Sequence, residues 1–168
     1  PPQLNWRSDR GKIFFGGRAK FSWEIMVVKG ELQFLGVVEK AGEEEARITI
    51  FPEFCPALKG VENYSHLIIL FWFHQRDTPE ERKTLQVTPK RHPGAPQVGV
   101  FACRSPTRPN PIGLCVVELL KVDNCTLLVK GLDAAEGSPI LDIKPYLPRA
   151  DSVPGARAPE WMSHGPAT

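Results

Sequence analysis

Several features are missing from this chain of 168 residues, and each absence closes off a class of function. No G-x-G follows a strand-like run and opens a helix, and no alternating βαβ pattern exists, which excludes a doubly wound nucleotide-binding fold. No apolar run reaches the length of a membrane span; Leu67 to Phe73 is too short and sits mid-chain, so a soluble, cytoplasmic protein is expected. The four cysteines (Cys55, Cys103, Cys115 and Cys125) form no C-x-x-C pair and have no histidine at zinc-ligand spacing. They read as reduced, intracellular thiols, with no metal site. Charge of one sign is also scarce: 21 Lys and Arg against 19 Asp and Glu leave +2, so net electrostatics does not announce a nucleic-acid binder, although a local basic face remains open. With 42% apolar and 24% charged residues, the composition fits one globular domain with a real core.

What is present is proline, 17 residues of it, concentrated where regular structure stops. Phe101-Ala-Cys-Arg-Ser-Pro-Thr-Arg-Pro-Asn-Pro-Ile-Gly113 lies between two apolar strand-like runs. Pro106, Pro109 and Pro111 fix φ and push the residues before them towards extended conformations, so this stretch is a stiff loop and not a helix. It presents Arg104 and Arg108, whose forked, planar donors suit carboxylates, phosphates and stacked bases; the alternative is a rigid crossover whose arginines pair with surface carboxylates.

Around that loop the pattern is that of strands. Residues 1–24 read as a loosely held extension, 25–161 as the domain, and 162–168 as a frayed tail. Ile25 to Val28 and Leu32 to Val38 read as β segments. In Ala46 to Phe51, Ile48 and Ile50 share one face, and the strand stops at Pro52. Leu67 to Phe73, continuously apolar, is expected to be a strand buried on both faces, with His74 and Gln75 leaving it where a pocket commonly opens. Thr78 caps one short helical turn with Pro79 in first position. Lys90-Arg91-His92, between Pro89 and Pro93, reads first as a solvated basic excursion and second as a phosphate contact. Val98 to Ala102 and Leu114 to Leu120 are strands flanking the stiff loop, and Asp123-Asn124 is a tight turn before Thr126 to Leu132. Ile140 to Ile143 is a short strand in which Asp142 faces away from its apolar neighbours, either to water, where Lys144 pairs with it, or to a polar pocket. Alternating runs broken by frequent Pro and Gly turns predict an all-β domain, a small single-sheeted antiparallel β-barrel of about six or seven strands with little helix.

The ordered blocks Tyr64-Ser-His-Leu, Phe73-His-Gln75, the stiff loop, Gly131-Leu-Asp, Gly137-Ser-Pro and Leu141-Asp-Ile-Lys-Pro-Tyr-Leu-Pro148 resemble the TsaA-like (TrmO) family over about Leu32 to Asp151. The resemblance implies a dimeric antiparallel barrel that binds S-adenosyl-L-methionine and methylates N6 of threonylcarbamoyladenosine beside the tRNA anticodon. Its cofactor contacts fall here on His74, Gln75, Arg104, Leu114, Leu132, Asp133, Ala134 and Ala135. Where bacterial members have a further Pro-Arg-Gln contact, this chain has Glu39-Lys40-Ala41-Gly42. With the cofactor so placed, Arg108, Asn110 and Lys144 are expected on the substrate side, and Asp142 and Tyr146 are the candidate proton acceptors. Two other classes stay open: a non-catalytic module binding S-adenosylmethionine or RNA, and a methyltransferase acting on a small molecule.

Overall fold

The computed structural model describes residues 31–42 and 44–163; the expected strand at Ile25 to Val28, the 1–24 extension and the end of the tail lie outside them. Six strands close into an antiparallel barrel: β1 (Gly36–Lys40), β2 (Ala46–Ile50), β3 (His66–Trp72), β6 (Ile112–Asp123), β7 (Thr126–Lys130) and β8 (Pro139–Pro145). Their order around the barrel is β1-β2-β7-β6-β3-β8, and β1 meets β8 through Gly36↔Ile140 and Val37↔Pro139. A separate two-stranded ribbon pairs β4 (Gln86–Val87) with β5 (Val98–Gly99).

Period-two alternation fills the interior. Ala46, Ile48 and Ile50 point inward from β2, Leu67, Ile69 and Phe71 from β3, Cys115 and Val117 from β6, and Leu127 and Val129 from β7. β3 is therefore not buried on both faces, as its unbroken apolar run suggested. Ile68, Leu70 and Trp72 are half-buried on the barrel's outside, opposite Val116, Leu114 and Ile112 of β6. Gly113 makes room for the core at one end: a Cβ there would sit 2.4 Å from the Phe71 ring, which itself stacks edge-on against Phe73 at 5.1 Å.

Other expectations shift at their edges. The run Val98 to Ala102 is a strand only to Gly99 and then turns through a 3₁₀ segment, Val100–Ala102, as the chain bends into the proline loop. The helix starting at Pro79 forms as α1 (Pro79–Lys83), with Thr78 Oγ1 accepting from Glu81 N at 3.2 Å. A second short helix, α2, covers Pro148–Asp151. The β6–β7 turn is tight, with Asn124 in the left-handed region at φ 52°, where asparagine is tolerated better than most residues.

The cysteines overturn the expectation of reduced thiols. Cys55 and Cys125 form a disulfide with Cα atoms 5.1 Å apart, while Cys103 and Cys115 are free and buried. The cause is topological. Ile50 N donates to Cys125 O at 2.8 Å, so the segment leaving β2 and the β6–β7 turn meet at one end of the barrel, although 70 residues separate the two sulfurs in sequence.

Candidate active site

A cleft of about 810 Å³ opens at the other end, where β3 stops, β6 begins and the chain leaves β7. That volume suits a nucleoside-sized ligand. One wall is the end of β3: Phe73 N donates to Pro111 O at 2.8 Å, and a 3₁₀ turn, His74–Arg76, carries His74 and Gln75 onto the cleft.

The second wall is the proline loop, and its stiffness comes from more than proline. Arg108 folds back over it. Nε donates to Ser105 O at 2.8 Å, and Nη2 donates to Val100 O and Cys103 O at 2.7 and 2.6 Å. From outside, Arg82 Nη1 donates to Pro109 O at 3.0 Å. Arg82 also pairs with Asp77 and lies over the Trp72 ring at 5.3 Å, while Trp72 Nε1 donates to Asp77 Oδ2 at 3.0 Å. The Arg82 guanidinium holds the Asp77 carboxyl below the usual carboxylate range. Trp72, Asp77 and Arg82 thus fasten the end of β3 to the proline loop from behind. Arg104, by contrast, lines the cleft and makes no ion pair among the described residues.

The third wall follows β7. Gly131 and Gly137 take positive φ, and between them side chains alternate: Leu132 and Ala134 are buried, whereas Asp133 and Ala135 line the cleft. Leu132 and Ala134, expected among the cofactor contacts, join the barrel core and do not line the cleft. Behind this wall Cys115 Sγ donates to Gly131 O at 3.0 Å, and burial pushes its thiol up, away from the reactive thiolate. Leu114, 43% exposed on β6, completes the cleft's apolar side.

A fourth wall was read in the sequence as a solvated excursion. Thr88 to His92 lines the cleft, Arg91 pairs with Asp133, and the His92 ring packs edge-on against Trp161 at 5.8 Å. Nothing local signals this, because Arg91 and Asp133 lie 42 residues apart.

The chain therefore brings together His74, Gln75, Arg104, Arg108, Leu114, Asp133 and Ala135. It does not bring Asn110, Asp142, Lys144 or Tyr146 to the cleft. Asp142 and Lys144 sit opposite Leu70 and Ile68 on the barrel's outer face and pair with each other at 2.8 Å, which raises the Lys144 pKa. Tyr146 N donates to His66 O at 3.0 Å, and its ring meets that of His66. His66 begins β3 and His74 follows its end, so roughly 20 Å of strand separates Tyr146 from the cleft.

The family model described as the tRNA-methyltransferase O N-terminal domain matches residues 38–152. The chain belongs to this family. It is 47% identical over 109 residues to an S-adenosyl-L-methionine-binding protein of Archaeoglobus fulgidus, covering 64% of this chain and 73% of that one. It is 45% identical over 127 residues to the tRNA (adenine(37)-N6)-methyltransferase of Escherichia coli, covering 73% of this chain and 53% of the enzyme. The crystal structure of TrmO from Pseudomonas aeruginosa superposes with a TM-score of 0.63 at 29% identity, covering 82% of this chain and 63% of that one. The chain thus spans little more than half of the bacterial methyltransferase and just under two thirds of the solved TrmO chain. All three walls that the family blocks build fall within the matched residues; the basic turn at Lys90 falls there too.

Proposed function

We propose that this TrmO-family domain is an S-adenosylmethionine-dependent methyltransferase acting on N6 of adenine 37 in tRNA, with threonylcarbamoyladenosine as the modified base. The observation that carries this is the convergence of His74, Gln75, Arg104 and Asp133, from three separate segments, on one nucleoside-sized cleft. The donor set fits the cofactor. Arg104 offers a forked cation to the methionine carboxylate, Asp133 accepts from an amino or hydroxyl group, and Leu114, Phe73 and Ala135 give an apolar bed for adenine. When bound, the cofactor would supply an electrophilic methyl carbon to the acceptor nitrogen and leave as a neutral thioether, while that nitrogen would give up its proton to a carboxylate or to water. The protein's own contribution is position: two arginines hold the loop that carries Arg104, so the cleft is set before the ligand enters.

The reading includes a homodimer. The stripe Ile68, Leu70, Leu114 and Val116 on the outside of β3 and β6 is apolar and runs into the cleft at Leu114. A second copy covering it would bury that stripe and set Asp142 and Lys144, on the same outer face, beside a neighbouring cleft. A proton-accepting part for Asp142 requires this second copy. Sedimentation that finds only monomer at micromolar concentration with full activity would remove the dimer from the account.

A non-catalytic reading has one observation behind it: the archaeal relative at 47% identity is named for binding the cofactor and not for transferring a methyl group. The experiment is incubation of the protein with S-adenosylmethionine and tRNA carrying threonylcarbamoyladenosine, followed by nucleoside mass spectrometry. A gain of one methyl on that nucleoside supports the enzyme; cofactor binding without it supports the module.

A further inference from the structure

The charge of the cleft does not match its proposed cofactor. Among the described residues, Arg76, Lys90, Arg91, Arg104 and Arg108 line it against a single carboxylate, Asp133. S-adenosylmethionine carries an ammonium, a sulfonium and one carboxylate, so it brings more positive than negative charge and uses no more than one cation of the rim. Three of the cations are accounted for without another ligand. Arg108 is spent on backbone carbonyls, Arg76 pairs with Glu81 at 3.2 Å, and Arg104 faces the cofactor carboxylate in the proposed reading. Lys90 and Arg91 are left. Lys90 makes no ion pair among the described residues. Arg91 pairs with Asp133, but these side chains are 66% and 43% exposed against 52% and 24% for Arg76 and Glu81, so this pair is the more open to water and exchanges partners at less cost.

The turn that carries them is supported. His92 N donates to Pro89 O at 3.2 Å, Ala95 N donates to His92 O at 3.1 Å, and the ribbon Gln86↔Gly99, Val87↔Val98 anchors it behind. Trp161 packs edge-on against His92. Two cations on a braced turn, at the lip of a cleft large enough for a base, match the phosphates that flank a base presented from a single strand.

We propose that the turn bearing Lys90 and Arg91 grips the phosphate backbone of the RNA segment whose base enters the cleft, an assignment that rests on the tRNA reading above. Each contact releases condensed counterions, so the affinity for RNA carries a salt dependence to which each of these residues contributes.

The test is the binding of a fluorescent anticodon stem-loop RNA at stepped potassium chloride, for the wild type and for Lys90→Ala with Arg91→Ala. The double variant is expected to lower the slope of log affinity against log salt by about 0.7 for each cation removed. Lys90→Arg with Arg91→Lys keeps the slope, and Lys121→Ala, near the opposite end of β6, leaves it unchanged. An unchanged slope in the double variant of a protein that still methylates tRNA overturns the assignment alone. A wild type that neither binds nor methylates the RNA overturns both this and the function it rests on. Loss of binding to anionic phospholipid vesicles, with the RNA slope intact, would assign the turn to a membrane surface instead.

Discussion

The two ends of this barrel solve the same problem, holding irregular chain in place, by different means. At one end the disulfide between Cys55 and Cys125 and a two-residue turn at Asn124 close the structure. At the other, the chain is fixed by reversible bonds: Arg108 to three carbonyls within its own loop, Arg82 to Pro109 from outside, and Arg91 to Asp133 across the cleft. A covalent link constrains the unfolded chain and leaves no group for a ligand. Guanidinium groups order the cleft loop and leave cations facing it. The difference makes the open end, where cations still face the cleft, the place for the proposed cofactor, and the closed end the place where a covalent link holds the fold.

The sharpest way to break this contrast is to cut the disulfide. Cys55→Ser with Cys125→Ser releases a loop spanning 70 residues, for which chain entropy gives up to about 4 kcal/mol of lost stability. Urea denaturation should show that loss, with cofactor affinity retained in the fraction that remains folded. Loss of cofactor binding before any unfolding would mean that the two ends are coupled.

Arg108→Ala comes next in size. Proline alone does not fix the loop if the arginine's three donated bonds are part of the frame, so Arg104 loses its support. Cofactor affinity should fall by about 1.5–3 kcal/mol, the range for a charge-assisted hydrogen bond, and Arg108→Lys should not restore it, because an ammonium cannot reproduce the planar fork. Titration calorimetry decides. Unchanged cofactor affinity with damaged methylation would place Arg108 on the substrate side instead, as the sequence led us to expect.

How far the sequence reaches is visible in these same residues. Ile48 and Ile50, with polar neighbours, declared their inward face directly. Ile68, Leu70 and Trp72 misled, because an apolar outer face makes an unbroken run that periodicity cannot resolve into two sides. The stiffness of residues 105–111 was legible from three prolines, since each acts on its own backbone. The fold-back of Arg108 was not, because a side chain's choice between a ligand and its own carbonyls leaves no mark on composition. Pairings at long range, Cys55 with Cys125 and Arg91 with Asp133, needed the barrel's topology to become visible.

A smaller effect probes the brace behind the cleft. Arg82 holds the Asp77 carboxyl below its ordinary value, so the stabilisation it brings is fully present above the unfolded carboxylate value of about 3.9 and is lost as pH falls through the lower, folded value. For a pair this near the surface the effect should stay within about 1 kcal/mol. The indole N–H resonance of Trp72, bonded to Asp77, should shift with that titration below about pH 4 in nuclear magnetic resonance spectra, and Asp77→Asn should abolish the shift. A Trp72 resonance indifferent to acid would detach the brace from the carboxylate.

The most direct test compares the ends by ligand. S-adenosylmethionine is titrated into the wild type, into Arg104→Ala, and into the Cys55→Ser, Cys125→Ser variant under conditions where all three are folded. Binding in the cleft predicts that Arg104→Ala weakens affinity by about 1.5–3 kcal/mol, roughly tenfold or more, while the disulfide variant binds as the wild type does. Equal affinity in the wild type and Arg104→Ala, or a loss confined to the disulfide variant, would contradict the placement of the cofactor at the open end.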